Sequence, residues 1–151
     1  MSPLKIIFIC TGNTCRSPMA AAIATQVFAD LGREAEVSSA GVSAFKGQPA
    51  SPHAITVMGE SGLCLLSHRA SYVCGESLKD AALVLTMTAG HRAVLLHDYP
   101  EVSGKVFTLA EYVGDSQDVA DPFGGSVEEY RACATQIRNL LELAAKKLAA
   151  L

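Results

Sequence analysis

This chain of 151 residues has no run of like charges, no apolar stretch of membrane-spanning length and no excess of positive charge. Each absence removes a class of function. A net charge of −3 provides no electrostatic footprint for nucleic acid. Its apolar runs are too short to cross a bilayer, so no membrane partner is expected. The segment from Leu4 to Cys10 is short, contains Lys5 and leads into a Gly-Asn turn, which does not read as a signal peptide. Five cysteines include no Cys-x-x-Cys pair; an odd, unpaired set fits a reducing compartment, and the cytoplasm is expected. No internal repeat, low-complexity tract or linker divides the chain. Half of its residues are apolar and 18% are charged, so a single globular domain spanning residues 1–151, a monomer, is expected.

One octapeptide carries most of the chemistry: Cys10-Thr11-Gly12-Asn13-Thr14-Cys15-Arg16-Ser17. It follows the apolar run Leu4-Lys5-Ile6-Ile7-Phe8-Ile9, which reads as a buried strand, and precedes Pro18-Met19-Ala20-Ala21, which reads as the first turns of a helix. A strand end, a short loop and a helix start form an anion site, because unpaired backbone N–H groups and the helix dipole both favour negative charge there. The same field favours the thiolate of a cysteine placed in it. Arg16 adds a planar fork able to hold two phosphoryl oxygens. Gly12 permits close backbone approach, and Asn13 tolerates a left-handed conformation that turns N–H groups inward. Ser17 can donate to the Cys10 sulfur and stabilise it as a leaving group. These residue types at this spacing point to phosphoryl transfer through a cysteinyl-phosphate. The plainer alternative is a buried structural thiol at Cys10.

Two other loop chemistries fit poorly. A nucleotide P-loop requires a Lys after its second glycine, and none is present. A zinc site requires paired ligands at metal spacing; Cys10 and Cys15 have no second pair, and His53, His68, His91 and His97 are scattered. No metal or organic cofactor is expected.

Elsewhere, strand-like runs alternate with helical patterns. A helix over residues 20–31 stops at Gly32, and Ala35-Glu36-Val37-Ser38-Ser39 is a second strand. Ser51 and Pro52 open a helix that ends near Gly62. Ala81-Ala82-Leu83-Val84-Leu85-Thr86 is a third strand before a helix over residues 88–96. Lys105-Val106-Phe107-Thr108 is a fourth, followed by a short helix over residues 109–113. Residues 114–125 form a polar loop, after which Ser126, with Glu129 completing a capping box, starts a long C-terminal helix. Such alternation predicts an α/β fold, a parallel sheet with helices on both faces and the ligand at the carboxyl ends of the strands.

Cys10-Thr11-Gly12-Asn13-Thr14-Cys15-Arg16-Ser17-Pro18 resembles the phosphate-binding loop of the low-molecular-weight protein tyrosine phosphatases. Ser39-Ala40-Gly41, Leu66-Ser67-His68-Arg69-Ala70 and Asp121-Pro122 resemble further segments of that family, so the likeness runs along the whole chain. It implies a three-layer α/β/α fold with a four-stranded parallel sheet. It also implies phosphate binding by Thr11, Gly12, Asn13, Thr14, Cys15, Arg16 and Ser17, and catalysis by Cys10, Arg16 and Asp121. Asp121 would be the general acid, for which expulsion of a leaving group from phosphorus has an independent need; its alternative is a turn initiator before Pro122. The likeness implies a reversible Cys10–Cys15 disulfide under oxidation, with a packed thiol as the alternative for Cys15, and a His68 hydrogen bond to Asn13, with a surface histidine as the alternative. Cys64, Cys74 and Cys133 read as structural or incidental.

Thr14 bears on the substrate. Tyrosine-directed members commonly carry an aliphatic residue there, whereas the Thr-Gly-Asn-Thr-Cys-Arg-Ser form resembles the protein arginine phosphatases. Phe123-Gly124-Gly125, with one aromatic and two glycines, leaves little wall for a phenol and resembles the same branch, as does the segment Lys105 to Tyr112. Phosphoarginine on proteins is therefore the expected substrate and phosphotyrosine the alternative, with Thr14 and Phe123 as specificity residues. Thr14 as a packing residue and Phe123 as a sufficient phenol wall remain open. Arsenate reductases carry a similar loop but relay a disulfide through further cysteines after the third strand, where Thr86-Met87-Thr88-Ala89-Gly90-His91 has none. A non-enzymatic phosphoprotein-binding module could dispense with Cys10 or Asp121, and both are present.

Overall fold

A computed structural model describes residues 3–150. Four strands, β1 (Leu4–Cys10), β2 (Ala35–Gly41), β3 (Leu83–Thr86) and β4 (Val106–Thr108), form one sheet in the order β2-β1-β3-β4. Every neighbouring pair is parallel. Helices α1 (Arg16–Asp30), α2 (Pro52–Glu60), α3 (Gly75–Asp80), α4 (Ala89–Asp98), α5 (Leu109–Tyr112) and α6 (Val127–Ala149) connect and cover it.

Central β1 is apolar on both faces because both are covered. Ile6 and Phe8 pack with Met19, Ile23 and Phe28 of α1, Met58 of α2 and Ile137 and Leu141 of α6. Ile7 and Ile9 pack on the opposite face with Leu78 of α3 and Leu95 of α4. The result is the expected three-layer α/β/α arrangement. From β1 the chain passes to β2 on one side and later to β3 on the other, so a topological switch point lies at the carboxyl ends of β1 and β3. Cys10 ends β1 at that point, paired with Gly41.

Several boundaries differ from those expected. Helix α1 begins at Arg16, ahead of the apolar pattern at Ala20, because its first turn is a buried polar site rather than an apolar stripe. Gly32, at φ 68°, ends it as expected. Strand β2 extends to Gly41 and β3 starts only at Leu83. Helix α3 and the 3₁₀ turn Pro100–Lys105 have no counterpart in the sequence pattern, since each buries a single apolar side chain, Leu78 or Val102, and shows no periodicity.

Caps were only partly foreseen. Ser126 accepts the Glu129 N–H at 3.3 Å, but the reciprocal bond of a full capping box is absent among the described contacts. Ser51 occupies the N-cap of α2 with Pro52 after it, yet its side chain makes no cap bond. Reciprocal boxes instead start α4, through Thr88 and His91, and α5, through Thr108 and Glu111. Among the described residues no helix is long and apolar enough to cross a membrane.

Candidate active site

The loop from β1 to α1 is held by Asn13, which takes the left-handed conformation foreseen for it, at φ 56°. Both amide hydrogens and the oxygen of its fully buried side chain are engaged. Nδ2 donates to Ser17 Oγ at 2.8 Å and to Ser39 Oγ at 2.9 Å, while Oδ1 accepts the Ser71 N–H at 2.9 Å. His68 Nε2–H donates to the Asn13 backbone carbonyl at 2.7 Å, so this histidine supports the loop asparagine through the main chain. Behind the loop, a Cβ on Gly41 would stand 2.9 Å from Asn13 N and 3.0 Å from Thr11 C. Only a glycine at the end of β2 lets the loop backbone pack there. Gly12 is under no such constraint from the protein: a Cβ there would meet only Thr14 Oγ1, at 3.7 Å. Its open side lines the pocket where a ligand would approach.

Cys10 Sγ is buried, 2.8 Å from Ser17 Oγ. Because Asn13 Nδ2–H already donates to that oxygen, the Ser17 hydroxyl is free to give its proton to the sulfur. Cys15 at the N-cap of α1 makes no side-chain cap bond, and no carboxylate lies in the first turn. The positive end of α1 is thus left for an anion. Arg16 is buried in that turn. Its Nη1 donates to the Val119 carbonyl at 3.0 Å, Nη2 donates to Thr11 Oγ1 at 3.4 Å, and Nη2 lies 3.5 Å from Asp121 Oδ2. Arg16 Nε is buried and has no partner among the described residues. An unsatisfied buried donor is unfavourable in isolation, and a phosphoryl oxygen held beside Cys10 would satisfy it.

Asp121 closes a turn and also faces the anion site. Oδ1 accepts the Phe123 N–H at 3.0 Å, closing a turn, and Oδ2 faces Arg16. The turn fixes the carboxyl next to the anion site and leaves one oxygen for chemistry. Cys15 Sγ, also buried, meets Tyr130 OH at 3.3 Å, Thr14 Oγ1 at 3.7 Å and, as a donor, Ser51 Oγ at 3.4 Å. This contact explains the missing Ser51 cap bond. Burial and the Cys15 contact push the Tyr130 hydroxyl up to about 12. Cys10 and Cys15 are both free thiols. A pocket of about 500 Å³ opens over the loop, lined by Cys10, Thr14, Arg16, Asp121, Phe45 and Phe123 among others.

Over residues 5–150 the chain matches the family described as low molecular weight phosphotyrosine protein phosphatase. It belongs to that family. Among its relatives, a protein-arginine-phosphatase from Geobacillus stearothermophilus is 44% identical, with 97% of each chain covered. A low molecular weight protein-tyrosine-phosphatase, PtpB, from Staphylococcus haemolyticus is 37% identical over 91% of this chain and 95% of its own. Among solved structures, a variant of the arginine phosphatase YwlE with a phosphorylated active-site serine superposes with a TM-score of 0.94 at 41% identity, covering 97% of this chain and 96% of that one. Vibrio vulnificus Wzb in complex with benzylphosphonate superposes at 0.88 with 27% identity, covering 97% and 99%.

Within this low-molecular-weight phosphatase fold, Cys10, Thr11, Gly12, Thr14, Cys15, Arg16, Asp121 and Phe123 all line one pocket. Asn13 and Ser17 lie behind it, buried. Two residues join them without a sequence motif. Phe45, 74% exposed, lines the same mouth as Phe123, 73% exposed, so the pocket has two aromatic walls where the sequence shows one. His91, read as one of four scattered histidines, is buried against Thr11, with Nε2 2.8 Å from Thr11 Oγ1. Burial and the nearby Arg16 charge, opposed by Asp121 and Asp118, lower its pKa to about 4. Its one sequence signal is Thr88-x-x-His91, a capping pattern at the carboxyl end of β3 with histidine in the place of glutamate.

Proposed function

We propose that this protein is a protein arginine phosphatase that hydrolyses phosphoarginine on proteins through a cysteinyl-phosphate. The observation that carries the reaction is the clustering of Cys10, the unpartnered Arg16 Nε and Asp121 Oδ2 around one pocket at the positive end of α1. Cys10 attacks phosphorus as a thiolate, and the bond from phosphorus to the guanidino nitrogen breaks. Asp121 gives its proton to that nitrogen. Arg16 and the loop amides hold the equatorial oxygens, over which the charge of the transferring group is spread in the transition state. In the second step Asp121 takes a proton from water, the water oxygen bonds to phosphorus and the P–S bond breaks. Cys10 leaves as a thiolate stabilised by the Ser17 hydroxyl, and inorganic phosphate departs.

Support for phosphoarginine comes from Thr14, whose hydroxyl can accept from a guanidinium N–H where an aliphatic side chain cannot, and from the 44% identity to an arginine phosphatase. The phosphotyrosine reading is favoured by Phe45, which adds an aromatic wall; a guanidinium stacks on aromatic faces too, so the wall serves either substrate. Comparison of kcat/KM on phosphoarginine and phosphotyrosine peptides tests the choice. Wild type is expected to prefer phosphoarginine, and Thr14→Ile to shift preference toward phosphotyrosine; wild-type turnover of phosphotyrosine as good or better overturns the assignment.

Phosphorylated proteins, met by a monomeric single-domain enzyme in the cytoplasm, complete this reading. Five free cysteines suit a reducing compartment. Cys15 would protect Cys10 as a reversible disulfide; mass spectrometry after mild peroxide should find the Cys10–Cys15 link, and its absence removes that role.

A further inference from the structure

Arg16 must present a fixed plane to the phosphoryl oxygens, and among the described residues three polar contacts hold its guanidinium. One of these, Asp121, sits on an exposed loop and takes part in the proposed proton transfers. The second is the Val119 carbonyl. The third is Thr11 Oγ1, a hydroxyl on an otherwise exposed residue, and His91 is the other side chain that bonds it.

The tautomer of His91 follows from its surroundings. Nδ1 faces the Thr88 backbone N–H at 3.2 Å and the Thr88 hydroxyl at 3.0 Å. The backbone N–H can only donate. The hydroxyl oxygen already accepts the His91 N–H at 3.2 Å, which frees its own proton for Nδ1. With Nδ1 accepting, the ring proton resides on Nε2 and is donated to Thr11 Oγ1. Thr11 Oγ1 therefore accepts from both His91 and Arg16, and its own O–H is left toward the pocket it lines.

We propose that His91 is a positioning residue for phosphoryl transfer: locked by the α4 capping box, it fixes the Thr11 hydroxyl as an acceptor for Arg16 and thereby sets the plane of the guanidinium. The lowered pKa agrees with a ring neutral at physiological pH, flanked by Arg16, Asp118 and Asp121. A neutral donor holds Thr11 without adding positive charge that would loosen Arg16. This role rests on the reading of Arg16 as the phosphoryl clamp.

A double-mutant cycle tests it, because residues acting in series are non-additive. His91→Leu should lower kcat/KM about tenfold and weaken orthovanadate binding in step, as removal of one bond in a charged network does. His91→Gln, which can supply both the cap acceptor and a donor, should recover most of that loss. In a Thr11→Val background His91→Leu should change kcat/KM by less than about twofold. A His91→Leu variant that loses thermal stability but keeps wild-type kcat/KM and vanadate affinity overturns the proposal. Equal fold-losses with and without the Thr11 hydroxyl overturn it as well. Nitrogen chemical shifts of the His91 ring in the unmodified protein test it without substitution: an Nε2–H tautomer is expected and an Nδ1–H tautomer overturns it. Cys10→Ser separates this inference from the reaction. If that variant keeps wild-type turnover the cysteinyl-phosphate mechanism fails, whereas a silent His91→Leu beside an inactive Cys10→Ser sinks only the role of His91.

Discussion

The two sides of the pocket are held in opposite ways. On the cradle side, Asn13 is fully buried with both amide hydrogens and its oxygen engaged, Ser17 is buried against Cys10, and Gly41 has no room for a Cβ. On the Asp121 side, the carboxyl side chain is 51% exposed, its loop meets the guanidinium at 3.5 Å, and the neighbouring Phe123 is solvent-facing. The cradle must bind developing charge at fixed positions, which rewards rigidity before the reaction starts. An acid that gives a proton to one group and takes it from another must tolerate changing partners, and a half-exposed carboxylate does so without a large desolvation penalty.

Substitutions on either side should sharpen this contrast. Cys10→Ser has the largest expected effect, with steady-state turnover on any phosphorylated substrate falling by roughly 10³ or more, because a serine hydroxyl is the weaker nucleophile and its alkoxide the poorer leaving group when the intermediate is hydrolysed. Asp121→Asn should lower kcat by about 10²-fold with little change in KM. The loss should shrink for an aryl phosphate whose leaving group needs no proton; an equal loss on both substrates would remove Asp121 as the acid. Asn13→Ala should differ in kind, costing about 2–3 kcal/mol of stability through three lost bonds, an exposed positive-φ strain and a cavity. Chemical denaturation reads this directly, and a variant as stable as wild type would show the cradle to be less constrained than its geometry indicates.

A pH effect is the smallest. His91 has its folded-state pKa depressed from 6.5 to about 4, so between these values the unfolded chain binds the proton and the folded chain does not. Stability from this group is present above pH 6.5 and is lost as pH falls through that window, by about 1–2 kcal/mol once the shift is discounted for solvent screening around the ring. His91→Gln should flatten that component of a denaturation series between pH 7 and 4; an unchanged slope would place its origin elsewhere.

Much of the cradle was legible in the chain because it is local. Strand, loop and helix are contiguous, and Gly12, Asn13, Arg16 and Ser17 act within a few residues of Cys10, so residue type and spacing carried the chemistry. Asp121, 105 residues beyond Arg16, was legible through the resemblance of Asp121-Pro122 to the family's segment, with its polar loop in support. Phe45, His91 and the steric role of Gly41 were not. Each meets the cradle only because β2 and β3 flank β1 in parallel register, with Cys10 opposite Gly41 and Ile9 opposite Thr86. Helix α3 was invisible for another reason: six residues with one buried apolar side chain make no periodic pattern.

The proposed nucleophile and anion clamp belong to a contiguous segment, so local backbone preference and residue chemistry were enough to point to them and to the reaction type. The glycine behind the loop ends β2, the second aromatic wall follows β2 and the histidine beneath Thr11 follows β3, and no spacing along the chain encodes their distance to Cys10. Sheet order sets those distances, because parallel pairing brings the carboxyl ends of β1, β2 and β3 to the same edge and with them every loop that completes the pocket.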